Sequence, residues 1–269
     1  MAAERFADRA MSLSLVDSGR WEVGGMQTAG MDQLPFSVHR RPNTRPLVIA
    51  HRGACLVAPP NSLAAFAAAI EAGADVAELD VTASLRVGHS EAELASDAPT
   101  LDEVLALLAA SGVAVHVDMK AEGIERAVVA ALMQHDLVGR SVVSTTWPAS
   151  LRRLVHSNPD VPRALGYPRD RLSVSRLHWP RAVTRVGAAA LRSVLPVRLP
   201  VLAAISRADV LALHHSMISP KVVLAAHRRG IAVFAWTVND PVVASRFAAI
   251  GVDGIVTDDP AGIRVVLGE

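Results

Sequence analysis

From residue 47 onward, short β-branched runs alternate with alanine-rich stretches of helical length, and that alternation leaves few folds open. The runs are LVIAH (47–51), VAELDV (76–81), VAVHVDM (113–119), SVVST (141–145), RALGY (163–167), VLALHH (210–215), AVFAWT (232–237) and GIVT (254–257). Each precedes a helical stretch, and a strand followed by a helix of crossover length pairs in parallel with its successor. Eight such units predict a (β/α)8 TIM barrel over 47–269, and 269 residues suit a fold that takes about 250. Helix starts support the phasing. Ser219-Pro220, Asp240-Pro241 and Asp259-Pro260 each place a capping side chain before a proline suited to the first helical position. Thr100 with Glu103 reads as a capping box, and Gly73 and Gly230 stand where helices should stop.

Composition excludes some classes of function. Just over half of the residues are apolar, and the net charge of +1 supplies no field for nucleic acid. The one cysteine, Cys55, rules out an intramolecular disulfide. Residues 1–46 lack an apolar core of signal-peptide length and a strand or helix period, so a loosely ordered extension on a cytoplasmic protein is expected. Segment 168–208 is the exception to the alternation: it is dense in arginine, and Arg192, Pro196, Arg198 and Pro200 interrupt its apolar stretch. Two readings stay open for it, an elaborated helical crossover and a basic, apolar surface for peripheral membrane contact. No protein partner is expected.

In a barrel of this kind, functional groups collect where strands end. Glu78 and Asp80 lie two apart, hence on one face of their strand, and two like charges so placed repel unless a cation separates them. His116, Asp118 and Lys120 share one parity in the next run. Three carboxylates on neighbouring strands make an all-oxygen set suited to Mg²⁺, Ca²⁺ or Mn²⁺ rather than zinc. A cation beside Arg52 and Lys120 suits a phosphate, and cleavage of a phosphodiester needs one proton removed and one delivered, which suits histidine. His51 ends the first strand, and His89 follows the hairpin after Asp80.

With these residues in place, the chain resembles the glycerophosphodiester phosphodiesterases, of the PLC-like phosphodiesterase superfamily, over about 47–262. The resemblance is carried by IAHRGA, PPNSLAAFAAAIEAGADVAELDV, VGHS, APTLDEVL, VHVDMK, FAWTVND and GVDGIVTDDP. It implies a TIM barrel that uses a divalent metal to release sn-glycerol 3-phosphate from a deacylated phospholipid head group. It also implies that His51 and His89 are the acid/base pair and that Glu78, Asp80 and Asp118 are the metal ligands. Arg52 and Lys120 correspond to phosphate contacts, and Trp236 to a ring lining the glycerol side. Two other readings remain: lysophospholipase D-like action on a lysolipid, and a barrel that binds phosphate or lipid without turnover.

Overall fold

The computed structural model describes residues 45–168 and 181–268, together with two short strands near the N-terminus, β1 (Leu13–Val16) and β2 (Arg20–Val23). These pair antiparallel, with Leu13 opposite Val23 and Val16 opposite Arg20, inside a compact unit formed by residues 1–34. That hairpin lies in the stretch whose sequence shows no period; the rest of the 1–44 expectation falls outside the described residues.

The second unit is the barrel. Its strands are β3 (Leu47–Ala50), β4 (Val76–Val81), β5 (Ala114–Met119), β6 (Ser141–Thr145), β7 (Arg163–Tyr167), β8 (Val210–His214), β9 (Ala232–Trp236) and β10 (Gly254–Thr257). All pair in parallel in sequence order, and β10 closes on β3 through Gly254–Leu47 to Thr257–Ala50. The eight expected runs and the eight strands agree to within one residue at every boundary.

The helices between them are α1 (Leu63–Glu71), α2 (Leu101–Ser111), α3 (Glu125–Gln134), α4 (Pro148–Ser157), α5 (Arg181–Ser206), α6 (Pro220–His227), α7 (Pro241–Ala249) and α8 (Pro260–Val266). Their starts use the expected caps. Ser219, Asp240 and Asp259 accept hydrogen bonds from the first turns of α6, α7 and α8, and Thr100 and Glu103 form the capping box of α2. Gly73 and Gly230 adopt φ of +70° and +69° just past α1 and α6, a conformation glycine enters without a Cβ penalty. Segment 168–208 yields α5, a single helix that runs through Pro196 and Pro200; residues 169–180 lie outside the described residues.

Strand parity sorts the side chains. Val48, Leu79, Val117 and Val233 point outward into one apolar layer against the helices, whereas Leu47, Ile49, Val76, Ala114, Val142 and Phe234 pack inside the barrel. Register then stacks the lumen. Val76 sits beside Ala114, Glu78 beside His116, and Asp80 beside Asp118, so the lumen passes from apolar to charged toward the carboxyl ends of the strands. The same period of two that buries Val76 therefore delivers both carboxylates of β4 to the mouth.

Candidate active site

The first corner is built by a turn that only a small residue allows. Arg52 and Gly53 both have positive φ, 54° and 80°, and a Cβ on Gly53 would lie 2.5 Å from the backbone of Ala65. This turn aims the Arg52 backbone N–H at Glu78 Oε2, to which it donates at 2.8 Å, and sends the guanidinium over Asp80, with Nε 3.0 Å from Oδ2. His51, at the end of β3, is held from β10: its Nδ1 lies 2.7 Å from Asp258 Oδ1. Burial pulls the His51 pKa down, but the Asp258 hydrogen bond and the Glu78 charge outweigh it, and the value stands above that of free histidine. With Nδ1 engaged, Nε2 is the nitrogen left for proton transfer.

His89 stands on the other side of Arg52. Its Nδ1 lies 3.3 Å from Asp80 Oδ2 and 3.1 Å from Arg52 Nη2, so the short hairpin after β4 does bring the ring to the carboxylates.

Three acids complete the cluster. Glu78, Asp80 and Asp118 each offer an oxygen within 4.8 Å of the others, and Glu78 and Asp80 are almost wholly buried. Lys120 binds Asp80 Oδ1 at 2.7 Å and also Asp118, while Ser144 on β6 donates to Asp118 Oδ1 at 2.6 Å. Burial favours the neutral form of Asp80, yet the His89 hydrogen bond and the charges of Lys120 and Arg52 prevail and hold its carboxyl far below the usual range. Burial likewise opposes the charge on Lys120, but Asp118, Asp80 and Glu78 push its pKa well above normal. Glu78 is left over. Burial and the Asp80 charge push it up to about 7. Three acids against one lysine and one shared arginine thus leave a carboxylate in want of a cation. An all-oxygen donor set in that state fits a hard divalent ion.

Several contributors were not singled out from sequence. Asp258 is one. His51 and Cys55 both hydrogen-bond to its Oδ1, and Asn239 Nδ2 donates to its Oδ2, so its carboxyl is held far below normal, chiefly by His51. Its signal was its place at the end of GIVT, next to the recognised cap Asp259. Asn61 is another: it grips Asp80 twice, donating from Nδ2 to the carboxylate and accepting from the backbone N–H through Oδ1, both at 3.2 Å. Cys55 donates its thiol to Asp258 at 2.9 Å, and burial with that bond raises it to about 12. His116, beside Glu78 in the strand register, is buried and driven to about 4, hence neutral. Trp236 ends β9. Its indole N–H donates to Ala212 O at 2.9 Å, and its ring meets His214 edge-on at 5.1 Å.

A cavity of about 620 Å³ opens beside the site, lined by Arg52, Asn61, His89, Leu63 and Leu94 among others. The arrangement offers two histidines, each against a carboxylate, with an acidic cluster and two cations at a solvent-accessible mouth. That is equipment for proton transfer at a phosphorylated centre.

Comparison with known proteins agrees. A sequence model of the Glycerophosphoryl diester phosphodiesterase family matches residues 51–86 and 85–262. The chain is 27% identical over 256 residues to a glycerophosphodiester phosphodiesterase of Caldanaerobacter subterraneus, covering 80% of this chain and 94% of that one. Among solved structures, a phosphodiesterase of Oleispira antarctica in complex with the product sn-glycerol 3-phosphate superposes with a TM-score of 0.64 at 24% identity, over 84% of this chain and 98% of that one. A glycerophosphodiester phosphodiesterase of Agrobacterium tumefaciens gives 0.61 at 20% identity, over 82% and 99%.

Proposed function

Since the chain belongs to the glycerophosphoryl diester phosphodiesterase family, a family of phosphoric diester hydrolases, we propose that it hydrolyses glycerophosphodiesters to sn-glycerol 3-phosphate and an alcohol. The observation that carries this reading is the pairing of an Asp258-oriented His51 with an Asp80-anchored His89 around three carboxylates.

Asp258 fixes the tautomer of His51 and raises its basicity, which suits His51 Nε2 to take a proton from the nucleophile. His89, at the more exposed edge of the site, is suited to deliver a proton to the departing alkoxide. Glu78, Asp80 and Asp118 would hold one divalent cation, Mg²⁺ or Ca²⁺ by their oxygen chemistry and Mn²⁺ as a third candidate, which supplies positive charge to the phosphoryl oxygens. Lys120 and Arg52 bind the substrate phosphate by exchanging carboxylate partners for phosphate oxygens. Trp236 offers a half-buried ring to the glycerol side of the substrate.

The test is release of glycerol 3-phosphate from glycerophosphocholine, glycerophosphoethanolamine or glycerophosphoglycerol by purified protein with each metal in turn. Turnover abolished by chelation and by His51→Ala is the expected result. Absence of product with every pair of metal and substrate would sink the proposal and leave the reading of a barrel that binds without turnover. A lysolipid is the second substrate reading, favoured by the exposed apolar residues of α5, and relative turnover of lysophosphatidylcholine and glycerophosphocholine separates the two.

A further inference from the structure

The mouth of the barrel carries a second group of metal-ligating atoms, unlike the acidic one. His51 Nδ1, Cys55 Sγ and a carboxylate oxygen of Asp258 all lie within 4.8 Å of one another. The imidazole and the thiol converge on one atom, since Asp258 Oδ1 is 2.7 Å from Nδ1 and 2.9 Å from Sγ. His51 and Cys55 are four residues apart, a spacing that zinc ligands on one loop commonly show.

The backbone fixes this geometry. His51 N–H donates to Thr257 O at 2.8 Å and Leu56 N–H to Asp258 O at 3.1 Å, so the loop that bears both ligands is pinned at each end beside the end of β10. Between these two bonds, the left-handed turn at Arg52 and Gly53 folds the loop back and returns Cys55 to Asp258. Asn239 holds the carboxylate from another side, with Nδ2 donating to Oδ2 at 2.5 Å and Oδ1 accepting from the Asp258 backbone N–H at 2.9 Å. The His51 and Asp258 side chains keep 21% and 28% of their surface exposed. A water can therefore complete a tetrahedral shell around an ion held by the three side chains.

Donor chemistry separates the two clusters. Glu78, Asp80 and Asp118 offer oxygen alone, which suits a hard ion, whereas an imidazole nitrogen, a thiolate and one carboxylate suit zinc. Burial and Asp258 keep the Cys55 thiol protonated, and a bound Zn²⁺ reverses that balance because coordination deprotonates a thiol.

We propose that His51, Cys55 and Asp258 form an inhibitory site for Zn²⁺, in which the ion disables His51 as a base. Without zinc, Nδ1 carries the proton that it donates to Asp258, and Nε2 presents a lone pair. Zn²⁺ takes the Nδ1 lone pair, so the imidazole proton resides on Nε2 and the thiol proton leaves to solvent. The balance is one Zn²⁺ bound and one proton released. Nε2 then has no lone pair with which to accept a proton, and Asp258 ligates the ion instead of orienting the ring. The loss of turnover rests on the hydrolase reading proposed above; binding of the ion does not.

The experiment uses the purified protein with Mg²⁺ or Ca²⁺ in excess. Co²⁺, as a spectroscopic substitute for Zn²⁺, should give a sulfur-to-metal charge-transfer band that Zn²⁺ displaces and that Cys55→Ser and Cys55→Ala lack. Cys55 is the one cysteine of the chain, so the band reports this site alone. Zn²⁺ should also inhibit glycerophosphocholine turnover by the parent. Each Cys55 variant, measured against its own zinc-free rate, should need at least about tenfold more Zn²⁺ for half inhibition. If one substitution lowers the Tm, the other is read. The proposal is overturned if the parent shows no such band, if the band forms while turnover persists, or if Zn²⁺ inhibits the parent and the folded variants alike, which would put the ion on Glu78, Asp80 and Asp118. A band in a parent that cleaves no diester supports the zinc ligands and counts against the hydrolase reading alone.

Discussion

Two sides of this barrel solve opposite problems. The β3–β5 side places Glu78, Asp80 and His116 in a nearly dry lumen, where the carboxylates are gripped by donors while Arg52 Nε and His116 Nδ1 lack a hydrogen-bond partner. The β7–β8 side carries α5, where large apolar side chains face outward without cover from the described residues. Buried charge is tolerated because Lys120, Arg52, Asn61 and Ser144 converge on it, and removing one partner strands the others. Exposed valine carries no such penalty, since nothing else relies on it. The lesson is that the acidic side is specified by mutual dependence and the helical side by none, so substitutions on the two should differ greatly in effect.

The largest expected effect is at Asp80, which Lys120, Arg52, His89 and Asn61 all contact. Asp80→Ala should abolish hydrolysis and lower stability by about 3 kcal/mol in chemical denaturation, because Arg52 loses its counter-charge and Asn61 its acceptor while Lys120 keeps only Asp118. A stability loss near zero would break the contrast with α5. Next, His51→Ala and His89→Ala should each lower kcat by about 10²–10⁴ with little change in Tm, measured on glycerophosphocholine. Asp258→Asn comes third, with kcat reduced about 10²-fold. It also removes the carboxylate that raises the His51 pKa, so the acid limb of the pH–rate profile should move to lower pH, a shift that a purely structural lesion would not produce.

A smaller effect is expected away from the mouth, where Arg153 holds Glu125 at 2.7 Å. Burial opposes the charge on Glu125, but the hydrogen bonds from Arg153 and Ser150 outweigh it and depress its pKa to about 2. A depressed carboxylate contributes stability above its unfolded pKa of about 4.3 and loses that contribution as pH falls toward 2. Denaturation midpoints should therefore drop between pH 6 and pH 3 more steeply in the parent than in Arg153→Met. The smallest effect is at Val197→Ser on α5, within about ±0.5 kcal/mol in stability. A clear loss there would show that the outer face of α5 is packed in the native state after all.

Much of this was legible before any coordinates. The eight runs became eight strands, the Ser-Pro and Asp-Pro pairs capped α6, α7 and α8, and the histidines and acids named from their strand ends came together at one mouth. These features are local. Period two, period 3.6 and capping chemistry act within a few residues, so a single sequence displays them. The prolines of α5 are where helix propensity and the structure part, within the helical crossover expected there. Each removes a backbone donor, yet Leu195 and Leu199 seat the helix on the barrel across both, and tertiary packing outweighs propensity.

The partners of the functional groups were not legible. His51 and Asp258 are 207 residues apart and meet only because β10 closes on β3. Asn61 reaches Asp80 only because Arg52 and Gly53 turn left-handed after β3, and Ser144 meets Asp118 only because β5 and β6 align in that register. The sequence by itself determined which residues carry charge, where strands and helices begin, and which parity each carboxylate occupies. The tertiary structure alone decided which charge neutralises which, how the His51 ring is oriented, and which apolar residues of α5 are left facing outward. The physical reason is range. Backbone propensity and periodicity act over a few residues, whereas pKa shifts, ion pairs and burial depend on distances of a few ångströms between groups far apart in the chain.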